Sequence, residues 1–325
     1  MGEARYEARK MKTAFLFPGQ GAQVVGMGAE VARSSAAAAE IFDRADDIVG
    51  YDLRNICFEG PAEQLNSTTI SQPAIFVTSA AIFEALRENP ATNHIRADVT
   101  AGLSLGEYTA LYAAGVIGFE DGLKLVQKRG QAMQAAADAT DGAMVSIIGL
   151  DEEKIRQLCL EAGQGELLEP VNFNCPGQIV ISGSKRACRR AKDLAARYGA
   201  IKTVRLEVAG AFHTDMMSSA AETLSEALAQ CKISEPGEVK TIANINAQYY
   251  SSAEKIADGL TRQLTCPILW QKCMEQLLAD GVERFYEIGP GRVLTGLMRR
   301  ISRKTEVINV SGLQGIKSLS GMVLP

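Results

Sequence analysis

Short apolar runs of strand length alternate with longer amphipathic stretches over most of the chain. The runs "TAFLFP" (13–18), "RADVTAGLS" (96–104), "KTIANIN" (240–246) and "RFYEIG" (284–289) predict strands. Stretches such as "LGEYTALYAAG" (105–115) and "FEDGLKLVQKRGQAMQAAAD" (119–138) have the three- and four-residue period of helices. Strands that alternate with helices indicate an α/β fold with a largely parallel sheet.

The pattern changes between residues 140 and 207, where the predicted elements follow in the order β-α-β-β-α-β. The corresponding stretches are "GAMVSIIGL", "DEEKIRQLCLEAG", "EPVNFNCPGQIVISGS" (a strand–turn–strand), "KRACRRAKDLAARYG" and "IKTVRLEVAG". This order is typical of a ferredoxin-like domain. We therefore expect a ferredoxin-like subdomain at 140–207, inserted in an α/β core formed by 11–139 and 208–310. Residues 311–325 lack clear periodicity and are expected to be loosely ordered or extraneous.

Composition narrows the class of protein. The 325 residues, 46% hydrophobic and 22% charged, are ordinary for a globular protein, and a net charge of −4 argues against a nucleic-acid binder with a generally basic surface. Seven scattered cysteines without a C-x-x-C predict reduced thiols in a cytosol-like compartment. The start "MGEARYEARKMKTAFLF" predicts no signal peptide, and the most apolar stretch, "AIFVTSAAIFEAL" (74–86), predicts a buried helix.

One serine stands between two glycines where a predicted strand meets a predicted helix. Gly102-Leu103-Ser104-Leu105-Gly106 fits the pattern G-x-S-x-G, in which the glycines permit a strained turn that exposes the serine hydroxyl. The backbone N–H that follows such a serine can face a developing oxyanion. The alternative is a small polar residue that packs at a strand–helix junction.

A serine nucleophile needs a base, and the chain has two histidines. His94 lies in the polar loop "ENPATNHIRAD" and is expected at the surface. His213, in "VAGAFHTDMM", is the better placed, although a histidine among apolar residues is more often structural. The order serine then histidine matches that of α/β-hydrolases. Because no acidic residue between them is marked out, we expect a backbone or amide carbonyl to orient the histidine.

A glycine-rich turn follows the first predicted strand, in "FLFPGQGAQVVGMG" (15–28). The spacing does not fit a dinucleotide-binding fingerprint, because the glycine after Gly19 and Gly21 is Gly26, and Pro18 stiffens the turn. These glycines suit a backbone whose N–H groups approach a ligand oxygen closely. A plain structural turn is the alternative.

An arginine lies on the apolar face of the helix predicted at 120–137. Leu125, Val126, Arg129 and Met133 share that face by their three- and four-residue spacing. A guanidinium directed inward needs an anion, because an unpaired buried charge costs several kcal/mol. The anion is either a protein carboxylate or a substrate carboxylate held by two parallel hydrogen bonds.

Six motifs in order along the chain together resemble one family. They are "FPGQGAQ", "GLSLGEYTAL", "LVQKRGQAMQ", "NFNCPGQIVISG", "VAGAFHTDMM" and "YEIGPGRVLTGL". From about residue 13 to 310 the chain resembles the malonyl-CoA:acyl carrier protein transacylases, the acyltransferases of fatty-acid and polyketide synthesis. The resemblance implies a hydrolase-like α/β core that carries the ferredoxin-like insert, with the active site in the cleft between them.

The resemblance also implies a role for each matching residue. Ser104 would be the nucleophile and His213 its base, the backbone N–H groups of Gln20 and Leu105 would form the oxyanion hole, Arg129 would bind the malonyl carboxylate, and a carbonyl of Gln263 would orient the histidine. The "AFH" that ends at His213 resembles malonyl-using and not methylmalonyl-using members. Leu103 departs from the family, most of which has histidine before the serine, and this affects the shape of the pocket.

The expected reaction transfers a malonyl group from malonyl-CoA to the phosphopantetheine thiol of acyl carrier protein, with no bound cofactor or metal. The alternatives are a polyketide acyltransferase, a serine acyl hydrolase or thioesterase, and a non-catalytic partner of a synthase. The acidic carrier protein would dock near a local basic cluster, Arg189-Arg190 or Arg299-Arg300 with Arg303-Lys304. We expect a monomer in a bacterial cytoplasm, with the plastid stroma as the alternative.

Overall fold

The structure, a computed structural model, describes residues 11–321. Within them the strands are β1 Lys12–Phe17, β2 Val99–Gly102, β3 Gly142–Ile148, β4 Leu168–Cys175, β5 Gln178–Ser184, β6 Lys202–Arg205, β7 Lys240–Thr241, β8 Val282–Ile288 and β9 Val307–Val310. The helices are α1 Ala29–Ser34, α2 Ala36–Val49, α3 Leu53–Glu59, α4 Ala62–Leu65, α5 Thr68–Glu88, α6 Gly106–Ala113, α7 Phe119–Asp138, α8 Glu152–Gly163, α9 Lys185–Leu194, α10 Ser218–Leu228, α11 Ala253–Arg262, α12 Trp270–Ala279, α13 Val293–Ile301 and α14 Leu313–Ser320. Most of the N-terminal stretch assessed for a signal peptide lies outside the described residues.

The larger sheet has five strands in the order β7-β2-β1-β8-β9, all parallel. Helices cover both faces, so the central strand β1 is apolar on both sides. Phe15 and Phe17 pack into the core on one face, and Ala14 and Leu16 into the core on the other, which includes Trp270. The loops after β1 and β2 leave the sheet at its carboxyl edge, where ligands of open α/β sheets bind.

The smaller sheet has four antiparallel strands in the order β4-β5-β3-β6. Helices α8 and α9 pack on one face through a separate core that includes Ile147, Leu158 and Cys188. The predicted fold class, a hydrolase-like α/β core with a β-α-β-β-α-β subdomain, is confirmed. The domain boundaries at 139/140 and 207/208 stay a prediction.

The C-terminal segment differs from the expectation of a loosely ordered tail. Residues 313–320 form helix α14, on which Ile316 and Leu319 are buried. Their three-residue spacing, continued back to Leu313, makes one apolar face that packs on the main core. The helix is too short for this period to stand out in the sequence. Residues 322–325 of the segment lie outside the described part of the chain.

Helix α5 contains the most apolar stretch of the chain. It is long and apolar enough to cross a membrane, but 83% of its apolar window is buried inside the fold. Phe76 and Phe83 on this helix pack with Tyr112 and Phe119 in edge and stacked arrangements. The helix is therefore a core element, as the sequence predicts for 74–86.

Candidate active site

Ser104 lies on a strained turn between β2 and α6. Its φ is 50°, a left-handed value that is uncommon for any residue but glycine. The turn is tight because a Cβ at Gly102 would lie 1.9 Å from the backbone of Gly106, and a Cβ at Gly106 would lie 2.1 Å from the carbonyl oxygen of Phe17. Both glycines of the G-x-S-x-G motif are therefore required by backbone packing.

The side chain of Asn244 stabilises this turn through two hydrogen bonds to its backbone. Its Oδ1 accepts a hydrogen bond from the N–H of Ser104 at 2.7 Å, and its Nδ2 donates to the carbonyl oxygen of Gly102 at 2.8 Å. Asn244 lies within the predicted strand 240–246, of which only Lys240–Thr241 is strand. The chain leaves the sheet after Thr241, and Asn244 therefore lies next to the backbone of Ser104.

His213 lies beside the serine hydroxyl. Its Nε2 is 3.1 Å from Ser104 Oγ, and its Nδ1 is 2.7 Å from the main-chain carbonyl oxygen of Gln263. A carbonyl oxygen can only accept, so Nδ1 carries the proton and Nε2 is left to accept the serine proton. Burial and the nearby charge of Arg129 lower the pKa of His213 to about 3, which keeps the imidazole neutral. His94 is exposed on its loop, away from this site.

Arg129 extends from α7 into the same site, with 1% of its surface exposed. Its Nη1 donates to Gln72 Oε1 at 2.7 Å, and its Nη2 donates to Ser104 Oγ and to Gln263 Oε1, each at 3.0 Å. The guanidinium also lies over the ring of Tyr108, 5.6 Å from its centroid. No carboxylate in residues 11–321 forms an ion pair with it, and its Nε–H has no partner there. The described chain therefore surrounds a buried cation with neutral acceptors.

Gln20 and Leu105 contribute backbone N–H groups close to the serine. A Cβ at Gly19 would lie 2.2 Å from the carbonyl oxygen of Leu103, so this glycine lets the loop after β1 lie directly against the turn. Neither the N–H of Gln20 nor that of Leu105 has an acceptor among the residues that the structure describes. Leu105 is also the N-cap of α6, where the helix dipole favours negative charge.

A pocket of about 370 Å³ lies at this site, and its lining includes Gln20, Ser104, Arg129 and His213. The larger domain contributes the turn, the loop after β1, Phe212 and His213, and the small subdomain contributes Met144, Asn172 and Leu206. Leu103, which departs from the family pattern, also lines the pocket. Gln263 does not line the pocket but contacts Arg129 and His213 beside it, and Leu105 directly follows Ser104. The predicted site residues therefore lie in one place, and their roles stay predictions.

Three buried polar residues that sequence reasoning missed also belong to the site. Gln72 on α5 binds Arg129, Asn244 holds the turn, and Glu107 accepts from Gln263 Nε2 at 2.7 Å. Glu107 lies between the serine and the histidine in sequence, but it contacts Gln263 and not the histidine. The position of Glu107, one helical turn after Ser104, is the one sequence feature that could have indicated its part in the site.

The chain matches the acyl transferase domain family over residues 14–317, and it belongs to that family. The malonyl CoA-acyl carrier protein transacylase of Bacillus subtilis is 42% identical over 307 residues, 94% of this chain and 95% of the relative. The resemblance that the six motifs indicate is confirmed, and the chain is an acyltransferase. The non-catalytic alternative is thereby set aside.

Solved structures agree with this assignment. The crystal structure of an acyl carrier protein S-malonyltransferase from Vibrio cholerae has a TM-score of 0.90 and 42% identity, covering 95% of this chain and 99% of that chain. A malonyl-transacylase in complex with its type II PKS acyl-carrier protein also has a TM-score of 0.90, at 39% identity, covering 95% of this chain and 98% of that chain.

Proposed function

We propose that this acyltransferase carries a malonyl group from malonyl-CoA to the phosphopantetheine thiol of an acyl carrier protein for fatty-acid synthesis, through an ester on Ser104. The single observation that carries the proposal is the buried Arg129 guanidinium, whose Nη2 lies 3.0 Å from the nucleophilic oxygen. The name of the Bacillus subtilis relative supports the same two substrates.

In the first half-reaction Ser104 Oγ attacks the thioester carbonyl while His213 Nε2 takes the serine proton. The carbonyl oxygen becomes an oxyanion, which the N–H groups of Gln20 and Leu105 stabilise. When the C–S bond breaks, the imidazolium returns the proton to the sulfur, and CoA leaves as its thiol. The malonyl group remains as an ester of Ser104.

In the second half-reaction the carrier thiol gives its proton to His213 and attacks the ester carbonyl. The same N–H groups stabilise the second tetrahedral intermediate. The C–O bond then breaks, the proton returns to Ser104 Oγ, and the malonyl group leaves on the carrier sulfur. One imidazole thus acts as base and acid in both halves.

Arg129 selects the acyl group. Acylation turns Ser104 Oγ from a hydroxyl into an ester oxygen, which is a weaker acceptor, and Nη2 is then released towards the malonyl carboxylate two carbons away. The unpartnered Nε–H is a further donor for that anion. An acetyl group would leave the buried cation without an anion. This separates malonyl transfer from a hydrolase for neutral acyl chains, which has no use for a buried arginine.

The acidic carrier protein would dock on cationic surface beside the pocket. Arg189 and Lys192 on α9 and Arg205 on β6 share a depression of about 200 Å³, and Arg205 immediately precedes Leu206 at the pocket. The second cluster, around Arg299 and Arg303, borders the β4–β5 turn. By contrast, Arg190 donates to the carbonyl oxygens at the end of α8 and has a structural role. We propose the α9–β6 surface as the primary dock.

We further propose a monomer that works in the bacterial cytoplasm. The bacterial source of the relative supports this location. Light scattering of the purified protein tests the oligomeric state, since a dimer would double the measured mass.

The test of the function is transfer to a carrier protein. Mixing the enzyme with malonyl-CoA and a phosphopantetheine-bearing carrier should yield the malonyl-carrier, and Ser104→Ala should yield none. Release of free malonate at the same rate, with no malonyl-carrier, would identify the hydrolase alternative instead.

A further inference from the structure

Glu107 is a buried carboxylate, 1% exposed, one helical turn after the serine on α6. Its Oε1 accepts from the hydroxyl of Tyr250. Its Oε2 accepts from Gln263 Nε2 at 2.7 Å and from the backbone N–H of Asn244 at 3.2 Å. Gly259 makes room for this arrangement, since a Cβ there would lie 2.5 Å from the Tyr250 hydroxyl oxygen.

Two of these three donors, Gln263 and Asn244, also contact residues of the active site. Gln263 accepts from Arg129 with its side-chain oxygen, and from His213 with its main-chain carbonyl. Asn244 holds both sides of the turn at Ser104. One carboxylate is therefore connected to the base, the nucleophile and the selecting cation.

An ionised carboxylate satisfies all three donors, whereas a glutamine at this position would offer one acceptor oxygen and an NH₂ group. Three donors converge on two oxygens, and an ionised carboxylate is acceptor-only. The shorter hydrogen bond of the Gln263 amide nitrogen, 2.7 Å, goes to Glu107, and a longer one, 3.1 Å, goes to the carbonyl oxygen of Ser104. With its nitrogen on this side, the amide turns its oxygen towards Arg129. A reversed amide would set its NH₂ against the guanidinium, leaving donor against donor in a dry site.

The groups around Glu107 also affect the pKa of its carboxyl group. Burial raises the pKa of Glu107 to about 7, while hydrogen bonds from Tyr250, Gln263 and Asn244 and the charge of Arg129 act to lower it. The carboxylate form therefore prevails at alkaline pH, which is the condition for the measurement below.

We propose that Glu107 is a positioning residue for malonyl selection, because it holds the Gln263 amide with its oxygen towards Arg129. The inference rests on the proposed function, in which Arg129 binds the malonyl carboxylate. Glu107 does not touch the substrate. It acts through Gln263, whose main-chain carbonyl oxygen contacts His213 and whose side-chain oxygen contacts Arg129.

The test compares Glu107→Gln with Glu287→Gln at one fixed alkaline pH. Glu287 is a matched control, because it is fully buried and accepts from Leu294, Thr295 and Asn309 without contacting the site. The kcat/KM of acyl-enzyme formation is measured with malonyl-CoA and with acetyl-CoA, together with the thermal midpoint. We expect the malonyl-to-acetyl ratio to fall about tenfold or more in Glu107→Gln, which is the effect of one misdirected charge-assisted hydrogen bond. The ratio should be unchanged in Glu287→Gln even if its midpoint falls as far.

Equal ratios in the wild type and Glu107→Gln would overturn the proposal. If Glu107→Gln does not fold, Tyr250→Phe serves instead, because it keeps the carboxylate and removes one of its donors. The malonyl-to-acetyl ratio should then fall about threefold. A wild-type ratio in Tyr250→Phe would overturn the proposal. Wild-type enzyme that forms no malonyl ester would instead contradict the proposed function, so the two failures are distinguishable.

Discussion

The Nη2 of Arg129 donates a hydrogen bond to the Oγ of Ser104 over 3.0 Å. The hydroxyl therefore accepts from the cation while it faces the imidazole of His213. Because the cation lies this close, only an acyl group with its carboxylate a short distance from the ester can reach it. Helix α7 supplies the arginine from a buried face, so the distance is set by core packing.

Replacing Arg129 by alanine should change which acyl group is accepted. A charge-assisted hydrogen bond contributes about 1.5–3 kcal/mol and a bidentate pair somewhat more, so malonyl transfer should fall roughly 100-fold or more. Acetyl transfer should lose little or rise, because the acetyl group no longer leaves a buried cation without an anion. Arg129→Lys should restore malonyl transfer only in part, since lysine has no planar fork. The measurement is kcat/KM for malonyl-CoA and acetyl-CoA; an unchanged ratio would make Arg129 a purely structural residue.

His213→Ala should slow both half-reactions, because the same imidazole takes the serine proton and the carrier-thiol proton. The matched control is His94→Ala, which removes an exposed imidazole. Acyl-enzyme formation and carrier malonylation are followed separately by rapid quench. Normal rates in His213→Ala, or a loss in His94→Ala, would assign the base elsewhere.

The low pKa of His213 makes folding stability depend on pH. Its pKa is about 3 in the folded protein against 6.5 for an ordinary histidine. As the pH falls from about 6.5 towards 3, the unfolded chain takes up a proton that the folded chain does not, so stability falls. His213→Ala lacks this loss. The difference in unfolding midpoint between the two proteins should therefore be constant above about pH 7. Towards about pH 4 the midpoint of the wild type should fall further than that of the variant. A difference that stays constant over the whole range would show that the imidazole is solvated.

Carrier docking should be salt-sensitive although the protein is net acidic. Arg205→Glu should raise the KM for the carrier protein and reduce its dependence on salt, while the KM for malonyl-CoA stays within about twofold. Arg303→Glu is the matched variant on the second cluster, and a larger effect there would assign the dock to that cluster. Wild-type transfer to the carrier that is the same at low and high salt would argue against an electrostatic dock.

The parts of this molecule that follow local patterns could be predicted from the sequence. The parallel strands and helix α7 have clear periods, and Ser104 stands in a motif whose glycines are required by backbone packing. Arg129 was found because one charge interrupts an apolar helix face. These signals depend on residues that are only a few positions apart in the sequence.

The rest of the site depends on distant segments and leaves no such signal. Asn244 meets Ser104 across 140 positions, and Gln263 meets Glu107 across 156. A polar residue that will be buried against a distant partner looks like any surface residue in its own segment. Helix α14 was missed for a related reason, because its apolar face is defined by the core it covers.

The most direct measurement of the central claim is the mass of the intact protein after brief mixing with malonyl-CoA. We predict one added malonyl group, located on Ser104 by fragmentation, absent from Ser104→Ala, and discharged when carrier protein is added. An unmodified mass under these conditions, or the same adduct on Ser104→Ala, would contradict the account.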